Sequence, residues 1–131
     1  LFAASRHERS SLPELLSEFI ATFGLMAVIW GCSRRHRATV VPFAVGAYIT
    51  AAYWFTASTS FANPAVTLAR AATDTFAGIR PVDAPGFIIA QIAGATAATA
   101  LFRWLVPSLP RTAQHVVVPH GAPEDELAAP S

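Results

Sequence analysis

A polar step, Ser60-Phe61-Ala62-Asn63-Pro64, interrupts a chain otherwise built from long apolar runs, and no other stretch narrows the possible folds as much. The runs from about Pro13 to Cys32, Val40 to Thr59 and Gly86 to Val106 each hold about 20 residues, enough to cross a hydrocarbon core as a helix. The polar step follows the second run and leads into an apolar, helix-compatible stretch that is too short to cross. Asn63 is a strong N-cap, and Pro64 suits the first helical position, where its missing N–H costs nothing. Non-helical backbone at membrane depth survives only where it is buried in protein or lines a water-filled cavity. The pattern therefore predicts an all-α membrane protein with spans at about 13–32, 40–59 and 86–106 and a re-entrant half-helix at about 64–75. The positive end of that half-helix is expected to oppose cations, with the Asn63 amide donating hydrogen bonds to passing water or hydroxyl groups. The carbonyls of Ser58 to Ala62 are expected to accept them.

Composition supports a bilayer setting: 53% of residues are hydrophobic and 13% charged. All nine basic residues are Arg, and eight acids nearly cancel them, so a net charge of +1 leaves no broad footprint for nucleic acid. Leu1–Ser11 reads as a polar lead-in or loop remnant, and the opening without Met suggests a fragment. Ser33 to Thr39, with Arg34, Arg35, His36 and Arg37, is short enough only for a turn between antiparallel neighbours. Residues 108–131, rich in proline and ending in an acidic cluster at Glu124, Asp125 and Glu126, are expected to form a disordered tail. The arginines between spans one and two, together with Arg103 and Arg111 after span three, place the link and the tail in the cytoplasm of a cell membrane.

Asn63-Pro64-Ala65 resembles the Asn-Pro-Ala signature of the major intrinsic protein family, the aquaporins and glycerol channels. Ser17-Glu18-Phe19-Ile20-Ala21-Thr22 is similar to the family's opening around a glutamate, and Phe87 to Ala95, containing Ala90-Gln91, to its helix after a half-helix. The resemblance covers roughly Leu15 to Leu105. It implies a half-channel over 12–107, one of two inverted halves of three spans each, completed by a missing first half and assembled as a homotetramer in the lipid bilayer. The direction of span one selects the second half, although Asn-Pro-Ala-Val-Thr is commoner in the first half, so that assignment stays open.

The resemblance also implies a selectivity filter, and here the chain departs from the family. Val66 stands where the second motif usually continues with Arg, and Phe61 and Ala62 stand where the first motif has its usual His. Ser60 matches the small filter residue before the motif. On span two, counting back from Asn63 gives Ala51, whereas counting on from Gly46 gives Tyr53. Such a filter contains no charge, which suits water and small neutral solutes such as glycerol, urea or neutral metalloid hydroxides. Glu18, ionisable within an apolar span, either supports the re-entrant loop, as the resemblance implies, or sits near the interface. Arg70 either faces the vestibule or ties to Asp74 one turn on. Gly94 and Ala98 have spacing suited to close helix contact.

An enzyme needs a constellation that the sequence does not offer. His7, His36, His115 and His120 fall in charged or tail segments without metal-ligand spacing, and Cys32 stands alone at the end of an apolar run. No catalysis, cofactor or metal is expected. Two readings remain at this point: one half of a passive channel, or a non-conducting three-span membrane remnant or interaction protein.

Overall fold

The computed structural model describes residues 3–33, 38–56 and 60–107. The basic link at 34–37, the Ser58 and Thr59 carbonyls, and the tail expected over 108–131 lie outside the described residues. Four α-helices are present: α1 (Leu12–Ser33), α2 (Val41–Phe55), α3 (Pro64–Ala71) and α4 (Ala84–Leu105), with a short 3-10 turn at Ala38–Val40 leading into α2. No strand occurs among the described residues.

Two of these helices, α1 and α4, are long and apolar enough to cross a membrane. Each has 22 residues, a length of about 33 Å. The second expected span is shorter than its apolar run: α2 has 15 residues and ends where Thr56 turns extended, with φ −101° and ψ 132°. There the Thr56 N–H and hydroxyl both donate to Ala52 O, which closes the last turn. The half-helix α3 likewise ends at Ala71, not near Thr75. The Ala72 N–H bonds back to Ala69 O, closing the last turn tightly.

Helix α1 packs against both α2 and α4, and α3 lies on α4. Contacts between α1 and α4 advance together along both helices, from Leu15 beside Gly86 to Trp30 Nε1 donating to Thr99 Oγ1 at 3.3 Å, so the two run parallel. Their crossing is closest at Gly94, where an added Cβ would lie 2.5 Å from the Phe19 carbonyl oxygen. Ala98, one turn on, is fully buried. Small residues let membrane helices approach to backbone contact. On α2 Ala52 is buried, as is Thr56 just beyond its end, and the Tyr48 hydroxyl one turn before Ala52 donates to Ala21 O at 2.9 Å. Much apolar surface stays exposed, including Phe43, Trp54, Phe76 and Trp104. An outer apolar face of this extent fits lipid or a further protein layer.

The first residues behave differently from a solvated lead-in. Residues 3–11 lie along the end of α3 and the loop that follows it, with Ser5 N donating to Ala71 O and Arg80 N to His7 O. The Arg9 backbone N–H donates to Asp83 Oδ2 at 3.0 Å, and its guanidinium donates to Gly78 O and Phe76 O. Arg9 is only 3% exposed. Nothing in the local pattern signals this, because every partner lies some 70 residues away, as the Arg9–Asp83 separation of 74 shows.

Candidate functional site

The approach to α3 carries the unusual backbone of the molecule. Ser60 and Ala62 have φ of 52° and 45°, a left-handed conformation that residues with a Cβ adopt at a cost of about 1–2 kcal/mol each. Both are buried, as is Phe61 between them. Strain of this kind persists where surrounding groups over-determine it, and here the determining group is Glu18. From α1, fully buried, it presents Oε1 to the Ala62 N–H. The same oxygen accepts from Gln91 Nε2 of α4 at 2.8 Å.

Gln91 extends the network in one direction. Its amide nitrogen also donates to Thr67 Oγ1 of α3 at 2.8 Å, and the Thr67 hydroxyl donates in turn to Asn63 O at 3.1 Å. Three helices and the loop thus meet through polar groups that water does not reach, since Glu18, Gln91 and Thr67 are all nearly or fully buried. Buried polar groups left unpaired are expensive, so these paired donors and acceptors hold the loop, although Gln91 Oε1 has no hydrogen-bond partner among the described residues. Gln91 and Thr67 are site residues that the motif reading passed over. The signal for Gln91 was available: an amide inside an apolar span asks for a partner just as a carboxyl does.

Asn63 caps α3 from extended backbone, its Oδ1 accepting the Ala65 N–H at 2.8 Å. With that oxygen engaged, the side-chain amide nitrogen is the end that offers donors outward. Asn63, Pro64 and Ala65 are exposed, and the first two border a groove of about 360 Å³ walled by Thr22, Met26 and Ile29 of α1 and by Gln91 and Ala95 of α4. The positive end of the α3 dipole opens toward the same groove.

Of the expected filter residues, Ser60 is buried, and its hydroxyl has no hydrogen-bond partner among the described residues. Val66 is half-buried and packs on the cluster of Phe61, Ala71, Ile79, Ala84 and Phe87. Ala51 and Tyr53 are both exposed, one on each side of buried Ala52. Asp74 accepts the Arg6 N–H, while Arg70 donates to Ala77 O and lies over the Phe61 ring. At the outer loop Arg80 joins Glu8 and Asp83, and the Arg80 hydrogen bond holds the Asp83 carboxyl below its ordinary value. No group of three or more His, Cys, Asp or Glu side chains among the described residues could hold a metal ion.

Two apolar helices of spanning length beside a short Asn-capped helix, its entry loop held by a buried carboxyl, are the features of an all-helical protein with helices long enough to cross a membrane. The major intrinsic protein family model matches residues 37–126, and the chain belongs to that family. It is 61% identical over 98 residues to an aquaglyceroporin, AqpS of Rhizobium meliloti strain 1021, a match covering 75% of this chain and 42% of the relative. The chain thus spans less than half the length of that relative. No solved structure matches the chain.

Proposed function

We propose that this chain is one half of a passive transmembrane channel for water and small neutral solutes, the second half by the direction of α1, and that it carries no catalytic step. The observation that carries this reading is the Asn63-capped α3, its strained entry loop held by Glu18 and its exposed first turn bordering an open groove. In a complete channel that groove and the Asn63–Ala65 turn face the matching element of the other half, and the Asn63 amide donates to a permeating oxygen. The re-entrant position of α3, the homotetramer and the cytoplasmic side of the tail belong to the same proposal. So does a filter of Val66, Ser60 and either Ala51 or Tyr53. Without a guanidinium at Val66 the filter is both uncharged and wider, which favours glycerol, urea and neutral metalloid hydroxides beside water.

Stopped-flow light scattering of proteoliposomes tests the proposal by comparing this chain alone with the chain joined to a first half. Conduction by the joined form only, with glycerol passing as well as water, is the expected result. A joined form that inserts correctly and stays silent overturns it and leaves a non-conducting membrane protein. Val66→Arg is expected to lower glycerol flux more than water flux, and Ala51→Trp and Tyr53→Ala distinguish the two candidates on α2 by which one changes the solute order.

A further inference from the structure

Thr96 and Thr99 stand three residues apart on α4 and use their hydroxyls in opposite ways. The Thr96 hydroxyl donates to Ile92 O at 2.7 Å, so its proton is taken and its oxygen is left to accept. The Thr99 oxygen accepts from Trp30 Nε1 of α1 at 3.3 Å, and its own proton meets no acceptor among the described residues. One hydroxyl is thereby left as an acceptor and its neighbour as a donor. Residues three apart on a helix lie side by side, with about 5–6 Å between their Cβ atoms.

Both threonines open into a groove of about 570 Å³ whose lining among the described residues is Ala95, Thr96, Thr99, Ala100 and Arg103. Ala95 also lines the groove that holds Asn63 and Pro64. Ile92, Ala95, Thr96, Thr99 and Arg103 recur at helical spacing, so the two grooves adjoin along one face of α4, from the capped end of α3 toward the last turn of α4. Thr96 is exposed and Thr99 half-buried, so a solute in the groove reaches both. We infer that Thr96 and Thr99 form a second station on the solute path, one that takes a short polyol. The inference rests on the channel reading above. One polyol hydroxyl donates to Thr96 Oγ1 while its neighbour accepts from Thr99 Oγ1, and the polyol carbons lie against Ala95 and Ala100. Water makes the same two bonds without that apolar contact, so the station favours the polyol.

Glycerol and water permeability test it in proteoliposomes holding this chain joined to a first half. Thr96→Val and Thr99→Val are each expected to lower the glycerol-to-water ratio and to raise the half-saturating glycerol concentration about three- to tenfold, the contribution of one hydrogen bond. Thr99→Ser, which keeps the hydroxyl, is expected to hold the parent values. Binding is read apart from flux on this chain in lipid vesicles, where Trp54→Phe/Trp104→Phe leaves Trp30 as the sole tryptophan. Its emission is expected to shift saturably with glycerol and not with sucrose at equal osmolality. Adding Thr96→Val, which leaves the Trp30–Thr99 bond in place, is expected to weaken that response. A joined channel that conducts with an unchanged ratio in both valine variants overturns the station and leaves the channel reading intact. A Thr99→Ser channel that behaves like Thr99→Val also overturns it, by showing that packing and not the hydroxyl matters. A joined form that inserts and conducts nothing overturns the channel reading; the Trp30 titration then still decides the polyol site, a saturable shift supporting it and a flat response overturning it.

Discussion

The loop entering α3 and the loop leaving it are both fastened to distant parts of the chain, yet by different chemistry. At the entry, Glu18, Gln91 and Thr67 hold strained backbone through buried hydrogen bonds. Beyond α3, residues 3–11 are held to the loop by backbone hydrogen bonds and by one ion pair close to water, Arg80 with Glu8, while Arg80 also pairs with Asp83 within the loop. A buried network is costly to break because the surviving partners cannot turn to solvent, whereas exposed ion pairs contribute little and are screened by salt. The entry loop should therefore be the more sensitive to substitution and the outer loop the more sensitive to solution conditions.

The sharpest challenge to that contrast is Glu18→Ala, which leaves both the Ala62 N–H and a Gln91 donor short of an acceptor. With two buried donors affected, a loss on the order of 2–4 kcal/mol is expected, read as the shift in thermal unfolding in detergent. Gln91→Leu should cost less, about 1–3 kcal/mol, since Glu18 keeps the loop contact and Thr67 loses one bond. If Gln91→Leu proves as damaging as Glu18→Ala, the network acts through α4 more than through the loop.

Acid should separate the two loops. The Asp83 carboxyl, lowered chiefly by its hydrogen bond from Arg80, contributes stability that is fully present above the unfolded carboxylate value of about 3.9 and is lost as pH falls through the lower folded value. Hydrogen exchange at residues 72–83 is therefore expected to speed up below about pH 4, and Asp83→Asn should abolish that acid step while weakening the loop at neutral pH. High salt should mimic part of the effect. The smallest change expected has the opposite sign: Ala62→Gly, which relieves the left-handed conformation, should alter stability by less than about 1 kcal/mol, on the stabilising side.

How much of this was legible depended on whether the cause lay nearby in sequence. The long apolar helices α1 and α4 and the Asn63–Pro64 start of α3 are local matters of apolar length and capping, and they read directly. The early end of α2 did not, because nothing in its apolar run marks Thr56 as the residue where the backbone turns extended. The left-handed pair Ser60 and Ala62 gave no sign, since neither is glycine and the strain is set by a carboxyl on another helix. Arg9 was the hardest case: a charged segment without period reads as solvated, and only the folded chain brings it to Asp83 and Phe61. Polar residues within spans were half-read, Glu18 by its charge and Gln91 not at all as a site residue.

The clasp of residues 3–11 on the loop before α4 also bears on the order in which the protein is made. A chain is built from its N-terminal side, and early parts begin to settle while later ones are still being added. Ser5, His7 and Arg9 must wait for Ala71, Gly78, Arg80 and Asp83 to emerge before they meet their partners. Helices α1 and α2 can pair first, but the segment leading into them is closed only once α3 and the loop after it have been delivered. Although it precedes α1 in the chain, this stretch is therefore among the last of the described residues to be secured.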